Sequence, residues 1–387
     1  RDLHSFPTRR SSDLRFTDID WQAWRPAIIY FNGEYMGMLN IRDRSNEDNV
    51  YTYHDGLEDI DLIANFGILQ EGTLDHFNAF RAFYSEPGHT MAEYEQWMDC
   101  YEYINLMAMN IYHTNWDFPA NNSIMWRPRG EGGRWRFIAK DIDTALGLYH
   151  LSPEYNYIEW IYNTDYDSNY YWGNRPSATL LFRHLMEDDA FRQLFIDRLA
   201  VYMGDFLNEQ GIKPVWDAMF DRVKVELPYH RQLNSRAWSL YEKEMEEARS
   251  WLAHRAANVY QHLADRYHLG TPVPLTISPL TPHPSHLTPP LEGICNPRPS
   301  LTVNGIPLRR GAFDGMFFAG RQLTVEACSR GFAIPDGQEI TGWSVEITDT
   351  LRNTTTTIVP TPAYTFDMPL CQSLALHPVT AIPDGIT

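Results

Sequence analysis

Asn115-Trp-Asp117-Phe-Pro-Ala-Asn121-Asn122 and, further along, Lys140-Asp141-Ile-Asp143 carry the side chains of this sequence best suited to chemistry. Carboxylate and amide oxygens from Asn122, Asp141 and Asp143 suit a hard divalent cation such as magnesium. A further carboxylate, Asp117, facing an acceptor hydroxyl would complete the core parts of phosphoryl transfer, which asks mainly for positioning and charge neutralisation. The same residues have plainer uses. Asp and Asn in a proline-containing loop commonly make turn and cap hydrogen bonds. An Asp-x-Asp pair also holds manganese on a nucleotide sugar in glycosyltransferases, and strand-end acidic pairs serve phosphoesterases.

The elements around these segments are legible from their patterns. Pro26–Tyr30 and Tyr35–Ile41 are β-prone runs joined across Phe31-Asn32-Gly33-Glu34, and Asn-Gly at such a join signals a hairpin. Tyr94, Trp97, Met98, Tyr101, Ile104, Ala108 and Ile111 recur at helical spacing and predict a helix ending near His113. An irregular polar stretch, 114–122, follows it. Ser123–Arg127 and Arg134–Ala139 predict two strands around the turn at 129–133. Phe191, Leu194, Phe195, Arg198, Leu199, Tyr202 and Phe206 predict one later helix, and residues 236–267 a longer one ending at His268-Leu-Gly270. The order is hairpin, helices, polar loop, hairpin and helical tail, with no internal repeat.

Protein kinases place a substrate-orienting Asp and a magnesium-binding Asn at the interval of Asp117 and Asn122, with a second metal-binding Asp after the next strand pair. Residues from about 16 to 265 resemble the spore coat protein H (CotH) kinase family. Ile29-Tyr-Phe-Asn-Gly-Glu-Tyr-Met-Gly-Met-Leu-Asn-Ile-Arg-Asp43 is similar to its nucleotide-side hairpin, and Asn115–Asn122 and Trp135–Asp143 to its two most diagnostic motifs. The resemblance implies an atypical protein-kinase-like α+β fold, ATP with Mg2+ (or Mn2+) as cofactors, transfer of the γ-phosphate to protein hydroxyls, and an exported location.

Carried over by position, it implies that Asp117 is the catalytic carboxylate, Asn122 a metal ligand and Asp141 the principal metal carboxylate. Asp143 and Asn121 match motif positions with weaker roles. Arg42 and Arg44 could face phosphate, or serve as exposed charges beside Asp43 and Glu47. The chain departs from ordinary kinases in lacking His-Arg-Asp, Asp-Phe-Gly and a Gly-rich loop. In the family the lysine-bearing strand lies upstream of the Asn-Gly hairpin. A missing phosphate-binding lysine weakens ATP binding, so family membership and catalytic competence are separate matters for this sequence.

Residues 1–14 have no periodicity and read as a non-native, adapter-like segment. The expected organisation is a kinase-like domain at 15–270, a Pro-rich linker at 271–300 with nine prolines in thirty residues, and a β-module at 301–387. Alternation in Leu301–Pro307, Arg321–Ala327 and Trp343–Thr348 predicts a small all-β, Ig-like sandwich. It stops at Thr387 amid the same texture, which leaves the sandwich open to being incomplete.

The 387 residues carry 32 Lys+Arg against 50 Asp+Glu, a formal net charge of -18. Acidic residues exceed basic ones before residue 271 and after it, which excludes nucleic acid and disfavours acidic membrane surfaces as partners. No apolar run approaches the roughly 20 residues of a spanning helix. A cell-envelope or extracellular placement is expected, with any signal peptide lost upstream. Cys100, Cys295, Cys328 and Cys371 have no C-x-x-C spacing, which argues against structural zinc. Cys100 is expected as a buried thiol, and one disulfide among the other three fits an exported chain.

Tyr149–Asn174 interleaves nine Tyr and Trp residues with Glu154, Glu159, Asp165 and Asp167. It is either a platform for a protein or glycan acceptor or a long loop packed on the helical lobe. His113 is read as a helix-end cap before it is read as a base. Two further classes stay open: a non-catalytic surface or adhesion protein on the same fold, and a metal-dependent glycosyl or nucleotidyl transferase using Asp141 and Asp143.

Overall fold

The computed structural model describes residue 17 and residues 19–147, 152–163, 173–233, 238–279, 301–327 and 339–381. The chain divides into two compact units, residues 1–195 with 212–255, and residues 196–211 with 256–387. The adapter-like stretch 1–14 lies outside the described residues.

The first unit opens with β1 (Asp20–Trp21) and the hairpin of β2 (Trp24–Phe31) and β3 (Glu34–Arg42). Asn32 and Gly33 at its tip have φ of 51° and 86°, the left-handed pair that a two-residue hairpin turn requires. Next come α1 (Glu47–Tyr53), β4 (Ile60–Ala64), β5 (Ile68–Glu71) and α2 (Asp75–Ser85). The short α3 (Met91–Tyr94) carries a reciprocal Thr90–Glu93 capping box. Then α4 (Cys100–His113) leads to β6 (Ile124–Pro128) and β7 (Arg136–Ala139). The five-stranded sheet has the order β1-β7-β6-β4-β5, antiparallel except for the β1–β7 pair. Val50, Ile60, Leu62, Ile124, Trp126 and Ile138 form a buried cluster on it.

The expected helix from Tyr94 is broken. Trp135 N–H donates to Trp97 O and Asp99 N–H to Trp135 O, so Met98 is drawn into a bridge and leaves the helical ladder. The helix restarts where the Asp99 carboxylate caps the N–H of Glu102 at 2.9 Å. Tyr101 consequently faces out, 45% exposed. Cys100 is a free, buried thiol, and burial pushes its pKa up, which makes it unreactive.

α4 is tied to β7 by a charge-assisted fork from the Arg136 guanidinium to Glu102, whose other oxygen accepts the Phe137 N–H at 3.2 Å. Burial pushes the Glu102 carboxyl up to about 7 against the lowering effect of Arg136. A carboxyl raised on folding is protonated more in the native state than in the unfolded one. Its contribution to stability is therefore full below about pH 4.5 and declines as pH rises to about 7. Thermal melts from pH 5 to pH 8 are expected to show a falling Tm, with a shallower fall in Glu102→Gln. Parallel slopes would contradict the assignment.

After β7 the helices are α5 (Tyr157–Tyr162), α6 (Pro176–Leu185), α7 (Asp189–Asp205), α8 (Glu209–Val223), α9 (Leu227–Leu233) and α10 (Trp238–Tyr267). α10 ends on His268, whose φ of 51° fills the left-handed position expected of Gly270, and Leu269 N–H returns to Ala264 O.

Among the described residues the second unit comprises residues 196–205 of α7, 256–267 of α10 and nine strands. These are β8 (Pro272–Ile277), β9 (Leu301–Val303), β10 (Ile306–Pro307), β11 (Phe313–Phe318) and β12 (Gln322–Ala327). They are followed by β13 (Glu339–Thr348), β14 (Thr354–Val359), β15 (Ala363–Asp367) and β16 (Ser373–Ala381). They form one sheet of order β10-β9-β12-β15 and another of order β11-β8-β16-β13-β14.

The first part of the proline-rich stretch is strand, because Pro272 and Pro274 pair only with β11 while the β16 partners begin at Leu275, leaving the side without N–H groups unpaired. The second compact unit also takes in residues 196–211 and 256–270. Asp205 accepts the N–H groups of Arg309 and Arg310 at 2.5 and 2.9 Å, and Tyr260 Oη donates to Ala200 O at 2.7 Å. These contacts place both helix ends with the strands. The remaining linker residues, 280–300, lie outside the described residues, as do Cys295 and Cys328; Cys371 is a free buried thiol.

Candidate active site

The polar stretch after α4 is held by hydrogen bonds at both ends. Thr114, with φ of 54°, turns the chain out of the helix, and Asn115 N–H still bonds Asn110 O at 3.1 Å. Asn115 is fully buried and acts as a hub. Its Nδ2 donates to Asn110 Oδ1 at 2.8 Å and lies 3.4 Å from Asp141 O, while its Oδ1 accepts the Thr144 hydroxyl at 2.6 Å. That hydroxyl in turn accepts Asp117 N–H at 3.3 Å. Tyr157 Oη lies 2.8 Å from Asn115 O and 2.6 Å from Phe118 O, its one proton shared between them. At the far end Asn65 in the β4–β5 turn donates Nδ2 to Asn121 Oδ1 at 3.1 Å and its N–H to Ser123 O at 2.8 Å.

This network joins the segment of Asp117 to that of Asp141 and Asp143, so the two acidic stretches singled out in the sequence meet. Asp117 and Asn122 are half-buried, with Asn122 Nδ2 3.5 Å from Asp117 Oδ2. Asn122 and Asp141 both take left-handed backbone, φ of 58° and 48°, which Asn and Asp tolerate better than other side chains. Arg42, at the end of β3, brings Nη1 to 3.7 Å from Asp141 Oδ1. Asp143 has its pKa raised, first by desolvation and then by the negative charge of Asp141, with Arg42 opposing. Asp141, Asp143 and Arg42 thus share one electrostatic neighbourhood. Arg44 is exposed and has no ion pair among the described residues.

Among the described residues no group of three or more His, Cys, Asp or Glu side chains gathers as a metal site. Of the three carboxylates in the two segments, those of Asp141 and Asp143, with the Asn122 amide oxygen, are the oxygen donors that the resemblance assigns to Mg2+. The Asp141–Asp143 repulsion, offset by one half-exposed arginine, is the strain that a divalent cation would relieve. The donor chemistry therefore fits the metal that the sequence resemblance implies.

His113 is buried with Nδ1 2.9 Å from Met109 O, consistent with the cap reading. In the aromatic segment, Tyr157 and Trp160 are buried and Trp160 stacks on Trp116 at 5.0 Å. These two rings support the loop from inside and do not form an exposed platform. Tyr149, Tyr166, Tyr170, Tyr171 and Trp172 lie outside the described residues. Gly173 accepts Ala120 N–H at 2.8 Å, and a Cβ there would stand 2.0 Å from Trp116 O. Gly173→Ala must displace the loop. At about 1–3 kcal/mol for overpacking, Tm should fall by several degrees, and an unchanged melt would contradict this close approach.

Sequence reasoning missed Asn65, Thr144 and Gly173 as supports of the site, while the buried Tyr157 agrees with the loop-packing reading of the aromatic segment. Thr144 directly follows Asp143 and could have been included with it. The others act across long separations in the chain and left no local signal.

A helix running into an Asp- and Asn-bearing loop, then an antiparallel strand pair ending in an acidic segment, defines a kinase-like protein. The sequence profile of the CotH kinase protein family matches residues 13–259. The chain belongs to that family, and all three motifs quoted above fall inside the match. No curated protein matched the chain. Among the described residues no helix is long and apolar enough to cross a membrane.

Proposed function

We propose that this protein is an atypical kinase that transfers the γ-phosphate of ATP to protein hydroxyls. The observation that carries this reading is the Asn115–Thr144 junction, which brings the loop of Asp117 together with the segment of Asp141 and Asp143. Asp141, Asp143 and Asn122 would hold Mg2+, which supplies charge neutralisation at the phosphates when bound. Arg42 lies within reach of the same carboxylates and adds positive charge for a phosphate oxygen. Asp117 orients the acceptor hydroxyl and takes up its proton as the oxygen attacks the γ-phosphorus and the bridging oxygen leaves with ADP. Arg44 is an auxiliary phosphate contact in this scheme.

Family membership supports the reading, as does the oxygen-only donor set. The acceptor is a protein, and the acidic chain favours one with Lys or Arg near its hydroxyl. In the same proposal the two sheets of β8 to β16 are an Ig-like sandwich, and the protein acts outside the cell or at the envelope. A nucleotidyl or glycosyl transfer reading draws on Asp141 and Asp143 alone and leaves Asp117 without a task. Parallel reactions with γ-labelled ATP, α-labelled ATP and labelled sugar nucleotides separate these chemistries. Protein label from the γ position alone is expected, and label from the α position or the sugar would refute the kinase reading.

A further inference from the structure

Arg255 on α10 is fully buried, and its hydrogen-bond acceptors are main-chain carbonyls. Nε donates to Tyr112 O at 2.8 Å and Nη2 to Ile111 O at 2.9 Å. Nη1 donates to Pro153 O at 2.7 Å and Tyr155 O at 2.8 Å. The guanidinium carbon lies 5.4 Å from the centre of the Trp251 ring. Ile111 and Tyr112 belong to the last turn of α4, where the helix dipole favours a cation. Burial lowers the pKa to about 10, which leaves the group charged at neutral pH.

The two places that Arg255 holds flank the loop of Asp117. The α4 end continues through Thr114 into Asn115. The 153–155 stretch presents Tyr155, whose ring stands edge-on to Trp116 at 5.8 Å, and runs into Tyr157, whose hydroxyl contacts Asn115 and Phe118. A lysine could not span these four carbonyls from a single nitrogen, whereas a planar fork can.

We propose that Arg255 is a positioning residue for phosphoryl transfer: by pinning the α4 end and residues 153–155 together, it fixes the place of Asp117. This rests on the kinase reading. Asn122 is held from the opposite end through Asn65 and Asn121, so loss of the fork should disturb the acceptor carboxylate more than the nucleotide ligands.

The test compares the full chain with Arg255→Lys and Trp251→Leu, the second variant loosening the fork without removing it. Transfer kinetics are measured well below each Tm, and hydrogen exchange is followed in the peptide covering 114–118. For R255K, kcat should fall at least about tenfold, with the KM for ATP within about twofold of wild type and exchange at 114–118 accelerated. Trp251→Leu should move the same quantities in the same direction by less, and it decides the matter if R255K does not fold. Unchanged kcat and exchange in folded variants would overturn the proposal, as would parallel losses in kcat and ATP affinity. Absence of transfer by every wild-type form tested would overturn the kinase reading itself. The exchange measurement would then still decide whether Arg255 anchors the loop.

Discussion

Asp141→Ala is expected to abolish magnesium-dependent nucleotide binding while leaving the fold intact. In the proposed site Asp141 is the principal metal carboxylate: its main-chain oxygen lies near Asn115, and its side chain, about a third exposed, stands 3.7 Å from Arg42. Removing an outer partner of a metal ligand commonly costs 10- to 100-fold in affinity, so removing the carboxylate itself should cost roughly 100-fold or more. The structural side effect is small, since a half-exposed ion pair contributes about 0–1 kcal/mol. Calorimetric titration of ATP with and without Mg2+ should show metal-dependent affinity in the wild type and none in the variant, with Tm values within a few degrees of each other. Unchanged affinity in Asp141→Ala would remove this residue from the metal site.

Asp117→Asn separates chemistry from binding. The replacement keeps the size of the side chain and its place in the loop, because the Asp117 main chain is fixed by its own N–H to Thr144 Oγ1 and by its carbonyl, which accepts Asn121 N–H at 2.9 Å. What is lost is the carboxylate charge that, in the proposed scheme, orients the acceptor hydroxyl and takes up its proton. Removing such a group typically lowers turnover by roughly 100- to 10,000-fold. Steady-state kinetics should show a drop of that order with ATP affinity nearly intact. Equal losses of turnover and affinity would instead give Asp117 a structural role.

These residues were legible in the sequence because their signals are local. Asn32-Gly33 announced the hairpin, and that hairpin motif together with Asn115–Asn122 and Trp135–Asp143, in that order, carried the family. What stayed hidden acts at a distance. Arg255 reaches the α4 end across more than a hundred residues, and Asn65 grips Asn121 from a different hairpin. Neither contact leaves a periodicity. The start of α4 was misplaced because Trp135, distant in sequence, competes for the main chain at Met98. Prolines concealed β8, since their cost to a strand vanishes where one edge has no partner. The aromatic segment was ambiguous for a related reason. Composition does not distinguish a ring facing solvent from one buried under a loop, and Tyr157 and Trp160 are buried.

The central claim is that the junction of the Asp117 loop with Asp141 and Asp143 performs phosphoryl transfer. Its most direct test is incorporation of label from γ-labelled ATP into protein with Mg2+ or Mn2+, using this chain, a longer form carrying its natural upstream sequence, and Asp141→Ala in each. Labelled protein from a wild-type form, absent from its Asp141→Ala counterpart, is the predicted result. No label from either wild-type form, together with no shift in Tm on adding nucleotide, would contradict it and leave a kinase-like fold used for binding alone.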